Sequence, residues 1–318
     1  MSIAKDTTGA APLSRRLDVP IDFDPLLEDL HRLAGHEWRR QATARTDQEI
    51  VPREDDDWSV IPLVAPLGDI SRTDPGLPGE EYAETPVLAE LPALRDLLRR
   101  VPGERMATRL LRLRPHAQVD EHVDPYFGFS YGKVRLHVPL ITNPDALMWF
   151  SQHSEHWSAR HLWYGDFSTP HRVSNEGRQD RIHLVLDTVL TPELLDLFGP
   201  EERAVALISR PLCASAHDAL LAPLPTGQWE MTAPTSAFDY TGTADTDEET
   251  TLDLFVTESD VRLRLPNGVV ARLRQVDPRE YRVGRMPEEI TVVLSPGRGK
   301  VVRRGSRRVE HAVHLSRR

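Results

Sequence analysis

Five short stretches decide the fold of this chain: ATRLLRLRP (107–115), KVRLHVPL (133–140), ALMWF (146–150), HLWYGDF (161–167) and DRIHLVLDTVL (180–190). They are rich in branched and aromatic residues, and turn residues separate them at close spacing. This rhythm is typical of a β-sandwich or β-barrel. We therefore predict a mainly β fold, in which side chains two positions apart on a strand share one face.

Helical patterns flank these strands. PLLEDLHRLAG (25–35) has leucines at helical spacing, and a further helix is predicted from about Pro92 to Arg100. After Thr191 the pattern changes to helices and then to short strands, which predicts a smaller C-terminal α+β module. We therefore assign residues 1–21 to a flexible N-terminal arm, 22–190 to the main β domain and 191–318 to an accessory module.

The composition is that of a globular protein, with 39% hydrophobic and 28% charged residues among 318. Its one cysteine, Cys213, excludes an intrachain disulfide and a site built from several thiolates. No run approaches the ~18 apolar residues of a membrane span, and the N-terminus lacks the apolar run of a signal peptide, so a cytoplasmic location is predicted. The net charge of -10 argues against general affinity for nucleic acid.

Three residues are candidate metal ligands. In DEHVDPYFG, His122 and Asp124 are two positions apart, so on an extended backbone both side chains leave the same face. Such a pair alone is not specific, because two residues at a fixed spacing often occur by chance. STPHRVSN adds His171 after several intervening strands. Two imidazoles and a carboxylate on one face are typical of non-heme iron(II) centres.

A second group of residues indicates an anion beside this metal. Arg181 and His183 share one face of their strand, and an arginine that points into a barrel needs an anion. A dicarboxylate would suit it, because guanidinium and carboxylate pair through two parallel hydrogen bonds. Arg135 and His137 repeat the arrangement and would meet the carboxylate nearer the metal. The alternatives are a salt bridge from Arg135 to a neighbouring strand and a core position for His183.

The order of these motifs resembles the aspartyl/asparaginyl β-hydroxylase family, which includes bacterial cis-proline hydroxylases. The resemblance spans roughly Leu26 to Leu190 and rests on DDWSVIPL around Trp58, RLLRLRP leading into HVD, RLHVPLITN, LWYGDFSTPHRVSN and RIHLVLD. It implies a double-stranded β-helix of the cupin or jelly-roll type, with the metal between two sheets. That fold agrees with the strand rhythm.

Carried over residue by residue, the resemblance implies that His122, Asp124 and His171 bind Fe(II). Asp166 matches an acidic residue that supports the distal histidine in the family. One departure is His116, where a glycine commonly follows the proline, and it affects the turn before the HVD strand.

The resemblance also implies that Arg181 holds the distal carboxylate of 2-oxoglutarate and that Arg135 and His137 are its other contacts. The implied reaction uses Fe(II), 2-oxoglutarate and O2 to hydroxylate an unactivated carbon of an amino acid, and it gives succinate and CO2. The substrate is a free amino acid, proline-like or not, or Asp or Asn within a peptide.

Two other functions remain open from the residues. A zinc hydrolase uses the same kinds of ligand, but it leaves Arg181 unexplained. A non-catalytic, cupin-like sensor would bind a metal or dicarboxylate and signal through the accessory module. That module is assigned either to substrate recognition or to homodimerisation. No membrane partner is expected.

Overall fold

The computed structural model describes residues 12–44, 50–52, 56–124, 126–209, 224–239, 248–284, 286, 289–304 and 308–318. Within these ranges the chain forms two β-rich units, each with a hydrophobic core of its own. The first unit is a double-stranded β-helix and the second is a closed barrel, so the mainly β fold class is confirmed. No helix among the described residues is both long and apolar enough to cross a membrane.

Over its described residues, the first unit contains fourteen strands and five α-helices. In chain order the strands are β1 (Ser14–Leu17), β2 (Arg39–Arg40), β3 (Ala42–Ala44), β4 (Ile50–Pro52), β5 (Trp58–Pro66), β6 (Tyr82–Glu84), β7 (Glu104–Leu113), β8 (Ala117–His122), β9 (Lys133–Ile141), β10 (Ala146–Phe150), β11 (His153–Glu155), β12 (Leu162–Gly165), β13 (His171–Asn175) and β14 (Arg181–Val189). The helices are α1 (Asp24–Arg32), α2 (Pro86–Ala89), α3 (Pro92–Arg100), α4 (Pro192–Leu195) and α5 (Pro200–Ser209).

Two antiparallel sheets build the β-helix of this unit, and β3 and β4 pair with each other in a separate two-stranded sheet. The larger sheet has the order β1-β12-β9-β14-β7-β5-β2, with β6 beside β5, and the smaller sheet has the order β11-β10-β13-β8. Strand β14 lies in the middle of the larger sheet, and all nine of its residues are buried. Leu184 and Leu186 pack in the main core with leucines of α1 and α3. Arg181 lies on the opposite face and contacts Met148 of the smaller sheet.

The N-terminal segment corrects the predicted extent of the flexible arm. Ser14–Leu17, which the sequence assigned to the arm, forms an edge strand antiparallel to β12. Leu17 is buried in the main core, and Arg15 is ion-paired with the buried Glu202 of α5. Apolar burial and the ladder hydrogen bonds therefore order this segment. Residues 1–11 of the predicted arm lie outside the described residues.

Helices α4 and α5 place the domain boundary later than the predicted position near Leu190. Leu194, Phe198 and Ala206 are buried in the main core of the first unit. The ring of Phe198 packs edge-on against Phe129, with centroids 4.9 Å apart. The second core begins at Leu224. The two helices thus cover the first unit rather than forming part of the accessory module.

The accessory module differs from the expected α+β mixture over its described residues. Its strands are β15 (Gly227–Pro234), β16 (Glu249–Val256), β17 (Val261–Arg264), β18 (Val270–Asp277), β19 (Glu280–Val283), β20 (Glu289–Ser295), β21 (Arg298–Arg304) and β22 (Arg308–Arg317). They close into a barrel whose interior is packed with apolar side chains such as Met231, Leu254 and Tyr281. Closure pairs every strand on both sides, which leaves no open sheet edge.

Charged side chains join the barrel to the first unit at the start of β7. Glu104 accepts hydrogen bonds from Arg274 Nη1 at 2.8 Å and from Arg282 Nη1 at 2.7 Å. Nearby, Gly79 has φ +88°, and a Cβ there would lie 2.4 Å from Leu265 Cδ1 of the barrel. The left-handed backbone and this close approach both require glycine.

Replacing Glu104 by Gln should lower the free energy of unfolding by about 1–2 kcal/mol, because it removes the negative charge between two guanidiniums, one of them a third exposed. The change is measured as the midpoint of urea unfolding. Glu258→Gln, in an exposed turn of the barrel, is the matched control. Equal midpoints for the two variants would show that these ion pairs do not stabilise the attachment.

Candidate metal centre

Three side chains from two neighbouring strands of the smaller sheet meet at one point. His122 ends β8, Asp124 follows two residues later, and His171 begins β13 directly opposite His122. Nε2 of His122 lies 3.9 Å from Asp124 Oδ1, and Nε2 of His171 lies 3.9 Å from Asp124 Oδ2. One donor atom from each residue lies within 4.8 Å of the others. A divalent ion with bonds of about 2.1 Å would draw these atoms slightly closer.

Backbone carbonyls orient both histidines for ligation. His122 Nδ1 lies 2.7 Å from the Asp120 carbonyl oxygen, and His171 Nδ1 lies 2.9 Å from that of Thr169. Because a carbonyl only accepts, each Nδ1 carries the proton and each Nε2 presents its lone pair. Burial lowers the pKa of His171 to about 4. The ring is therefore neutral near pH 7, as a metal ligand must be.

Asp166 shapes the turn before the distal histidine. Its Oδ1 accepts hydrogen bonds from the backbone N–H and the hydroxyl of Ser168, at 3.2 Å and 2.5 Å. The Thr169 hydroxyl donates to the Asp166 carbonyl oxygen at 2.7 Å. Asp166 does not contact His171 directly. It organises the turn whose Thr169 carbonyl holds the His171 ring.

Arg181 is a buried cation at the other end of the site. Its side chain is 5% exposed, and burial lowers its pKa to about 9. Nη2 donates to His183 Nδ1 at 3.0 Å and contacts Met148 Sδ at 3.2 Å. In the described ranges no carboxylate lies within ion-pair distance of this guanidinium. A bound anion would supply the missing negative charge.

His137 presents a ring nitrogen to the same cavity. Its ring stacks on Phe167, with centroids 5.2 Å apart and 17° between planes. His137 Nδ1 lies 3.3 Å from His183 Nδ1, whose in-plane lone pair accepts from Arg181. His137 Nε2 is buried and has no hydrogen-bond partner within the described part of the protein. An orphaned polar atom of this kind indicates a ligand position.

Arg135 is ion-paired with two carboxylates. It contacts Asp124 and, on the neighbouring strand β14, Asp187. Burial acts to lower the pKa of Arg135, but the two carboxylates outweigh it and raise that pKa above its ordinary value. The structure thus contains the salt bridge that the sequence left as an alternative. Two N–H groups of the guanidinium are still not used in these contacts.

Asp187 is the residue that the sequence interpretation missed. Burial raises its pKa, but Arg135 and Arg109 outweigh burial and hold the pKa of Asp187 below its ordinary value. A signal for it was present, because Asp187 lies six positions after Arg181 on the same strand face. Identifying the partner of Asp187 required the strand register, which pairs Asp187 directly with Arg135.

A narrow cavity connects these groups. Its volume is about 30 Å³, and its wall includes His122, Arg135, His137, His171 and Arg181. Five of the six residues predicted for the site therefore line one cavity. The sixth, Asp124, adjoins it through its contact with Arg135.

The sequence profile of the aspartyl/asparaginyl beta-hydroxylases matches residues 25–190, more than half of the chain. The chain belongs to the aspartyl/asparaginyl β-hydroxylase family. The matched range contains the three candidate metal ligands and the residues around Arg181. Family membership therefore supports a hydroxylase function for this chain. No curated protein sequence matches it.

Within this family, His116 replaces the glycine that commonly follows the proline. Its φ of +60° lies in the left-handed region, which explains why glycine suits the position. Strand β8 nevertheless begins at Ala117 and carries His122 to the site. The departure thus strains the turn and leaves the ligands in place.

Several solved structures are similar to part of this chain. A prolyl hydroxylase from Trichoplax adhaerens, in complex with a hypoxia inducible factor peptide fragment, has 11% identity and a TM-score of 0.35 over 62% of this chain and 87% of its own. A 2OG-Fe(II) oxygenase family oxidoreductase from Burkholderia pseudomallei has 12% identity and a TM-score of 0.32 over 43% and 70%. A predicted oxalate decarboxylase from Thermotoga maritima has 14% identity and a TM-score of 0.23 over 30% and 74%.

Proposed function

We propose that the chain is an iron(II)- and 2-oxoglutarate-dependent dioxygenase that hydroxylates an unactivated carbon of an amino acid, free or within a peptide. The observation that carries the proposal is Arg181, a buried guanidinium that has no counter-ion among the described residues and lies in the cavity that is also lined by His122 and His171. A dicarboxylate bound to the metal at one end reaches such a cation with its other end. Membership of a hydroxylase family supports the same reaction.

The side chains fit the two groups that this reaction needs. Two neutral imidazoles and one carboxylate are a ligand set that suits Fe(II) and leaves coordination positions for co-substrate and oxygen. The orphaned His137 Nε2 and the uncompensated charge of Arg181 fit the polar ends of 2-oxoglutarate. His122, Asp124 and His171 would hold the iron.

When bound, the iron supplies the activation of O2 and the oxidation of the C–H bond. Substrate C–H, O2 and 2-oxoglutarate give the alcohol, succinate and CO2, with one oxygen atom of O2 in the alcohol and the other in succinate. Arg181 anchors and orients the distal carboxylate of the co-substrate. Because the cavity is narrow, Met148 must move from Arg181, and an unbranched thioether changes rotamer readily.

The metal centre opens to solvent on one side. The His122 side chain is 34% exposed and that of Asp124 is 24% exposed, whereas His171 is 2% exposed. The amino-acid substrate therefore approaches from the side of His122. Phe167 packs edge-on against His171 and excludes water from the opposite side.

Incubation of the chain with Fe(II), 2-oxoglutarate and a panel of free amino acids and peptides tests the function. We expect succinate formation that depends on both iron and one substrate class, with a mass gain of one oxygen atom in that substrate. Binding of 2-oxoglutarate without any turnover would favour a sensor. Substrate cleavage with zinc and without 2-oxoglutarate would favour a hydrolase.

A further inference from the structure

A network of four alternating charges runs from the larger sheet to the candidate metal ligands. Arg109 Nη1 donates to Asp187 Oδ2 at 3.0 Å. Arg135 donates to the same carboxylate twice, from Nε to Oδ1 at 2.6 Å and from Nη2 to Oδ2 at 3.1 Å. Arg135 Nη1 then donates to Asp124 Oδ2. Each charged side chain in this network therefore has a neighbour of opposite charge.

Strand register creates this arrangement. Arg109 lies on β7, Asp187 on β14 and Arg135 on β9, and the three strands are adjacent in the larger sheet. Asp187 is directly opposite Arg135, whereas Arg109 is opposite Val185, two positions away on the same face. The Asp187 side chain is 1% exposed and that of Arg109 is 9% exposed. The pairs are thus shielded from water and hold their geometry.

The donor geometry of Arg135 links the network to the metal. A guanidinium has five N–H groups in a rigid fork. With two of them on Asp187, the plane of the fork is set, and Nη1 reaches Asp124 Oδ2. Asp124 Oδ1 stays directed towards His122 Nε2, 3.9 Å away. A carboxylate held in this way offers one oxygen to a metal ion.

We propose that Asp187 is a positioning residue for the metal centre, which acts by fixing Arg135 and, through it, the carboxylate of Asp124. The inference rests on the proposed function, because it concerns the same metal ligands. The two unused N–H groups of Arg135 leave it free to contact the co-substrate as well. Asp187 therefore supports both the metal ligand and the neighbouring end of the co-substrate site.

Asp187→Asn tests this role, because it keeps the size of the side chain and removes the charge. We expect Mn(II), followed through the EPR signal of the free ion, to bind about 10- to 100-fold more weakly, the range typical for partners of metal ligands. Thr188→Val is the matched control. Thr188 is equally buried on β14, and its hydroxyl donates to the Glu104 carbonyl at the far end of β7, so its loss lowers the Tm and leaves Mn(II) affinity unchanged.

A double variant shows whether Asp187 acts through Arg135. If it does, Asp187→Asn combined with Arg135→Gln binds Mn(II) as weakly as Arg135→Gln alone, because coupled residues are not additive. Asp187→Asn alone leaves the buried Arg109 without its ion-pair partner, so Asp187→Asn combined with Arg109→Gln, which keeps the pair of Arg135 and Asp124, is the variant to use if Asp187→Asn does not fold.

The outcomes separate this inference from the proposed function. Wild-type Mn(II) affinity in Asp187→Asn, or additive losses when Asp187→Asn is combined with Arg135→Gln, would overturn the positioning role. Neither result would contradict the metal centre itself. Absence of Mn(II) binding to the wild-type chain, with and without 2-oxoglutarate, would instead contradict the proposed function.

Discussion

Asp124→Ala is expected to abolish turnover while the fold is retained. The change removes one of the three proposed metal ligands and the carboxylate that Arg135 contacts. Loss of a residue that only supports a ligand costs about 10- to 100-fold in metal affinity, so loss of a ligand should cost more than about 100-fold. The measurements are Mn(II) affinity and the rate of succinate formation.

The Asp124 side chain is 24% exposed, so its removal leaves only a small cavity. We therefore expect the circular dichroism spectrum of the variant to match that of the wild type. Glu121→Ala, one position before His122 and exposed, is the matched control and should retain turnover. If Asp124→Ala forms succinate and product at the wild-type rate, Asp124 is not a ligand.

Arg181→Met should remove the response to 2-oxoglutarate. Charge-assisted hydrogen bonds contribute about 1.5–3 kcal/mol each, so a bidentate pair is worth roughly 3 kcal/mol or more, a change of at least about 100-fold in affinity. We expect the KM for 2-oxoglutarate to rise by about this factor.

The same variant should not destabilise the ligand-free protein. It replaces an uncompensated buried guanidinium by an unbranched apolar side chain of similar length, and buried charge without a partner is costly. At 100 times its Kd, 2-oxoglutarate should stabilise the wild type by about 2.7 kcal/mol and the variant hardly at all. The exposed Arg178→Met is the control. A normal Tm increase with 2-oxoglutarate in Arg181→Met would contradict the anchoring role.

The strands and the shared face of His122 and Asp124 were predictable because their signals are local. The two-residue spacing of His122 and Asp124 places both side chains on one face, and the structure brings His171 beside them. The inward position of Arg181 follows from alternation along a single strand. For Arg135, alternation predicted the direction of the side chain but not its partner, because that depends on which strand lies beside it.

The accessory region was harder to predict because its organisation is long-range. Whether eight short strands remain open or close into a barrel depends on pairing between β15 and β22, which are far apart in the sequence. The local sequence of helices α4 and α5 does not show which core they cover, because the ring contacts of Phe198 form only in the folded protein. Substrate recognition and dimerisation by the barrel both stay predictions.

A structure of crystals grown without oxygen, in the presence of Fe(II) and 2-oxoglutarate, tests the account most directly. It shows whether one ferrous ion and one keto-diacid bind together in the cavity beside Arg181. We predict a single iron peak in the anomalous map, bonded to Nε2 of His122 and His171 and to one oxygen of Asp124, with a carboxylate of 2-oxoglutarate on Arg181. Iron bound elsewhere, or 2-oxoglutarate bound away from Arg181, would contradict this account.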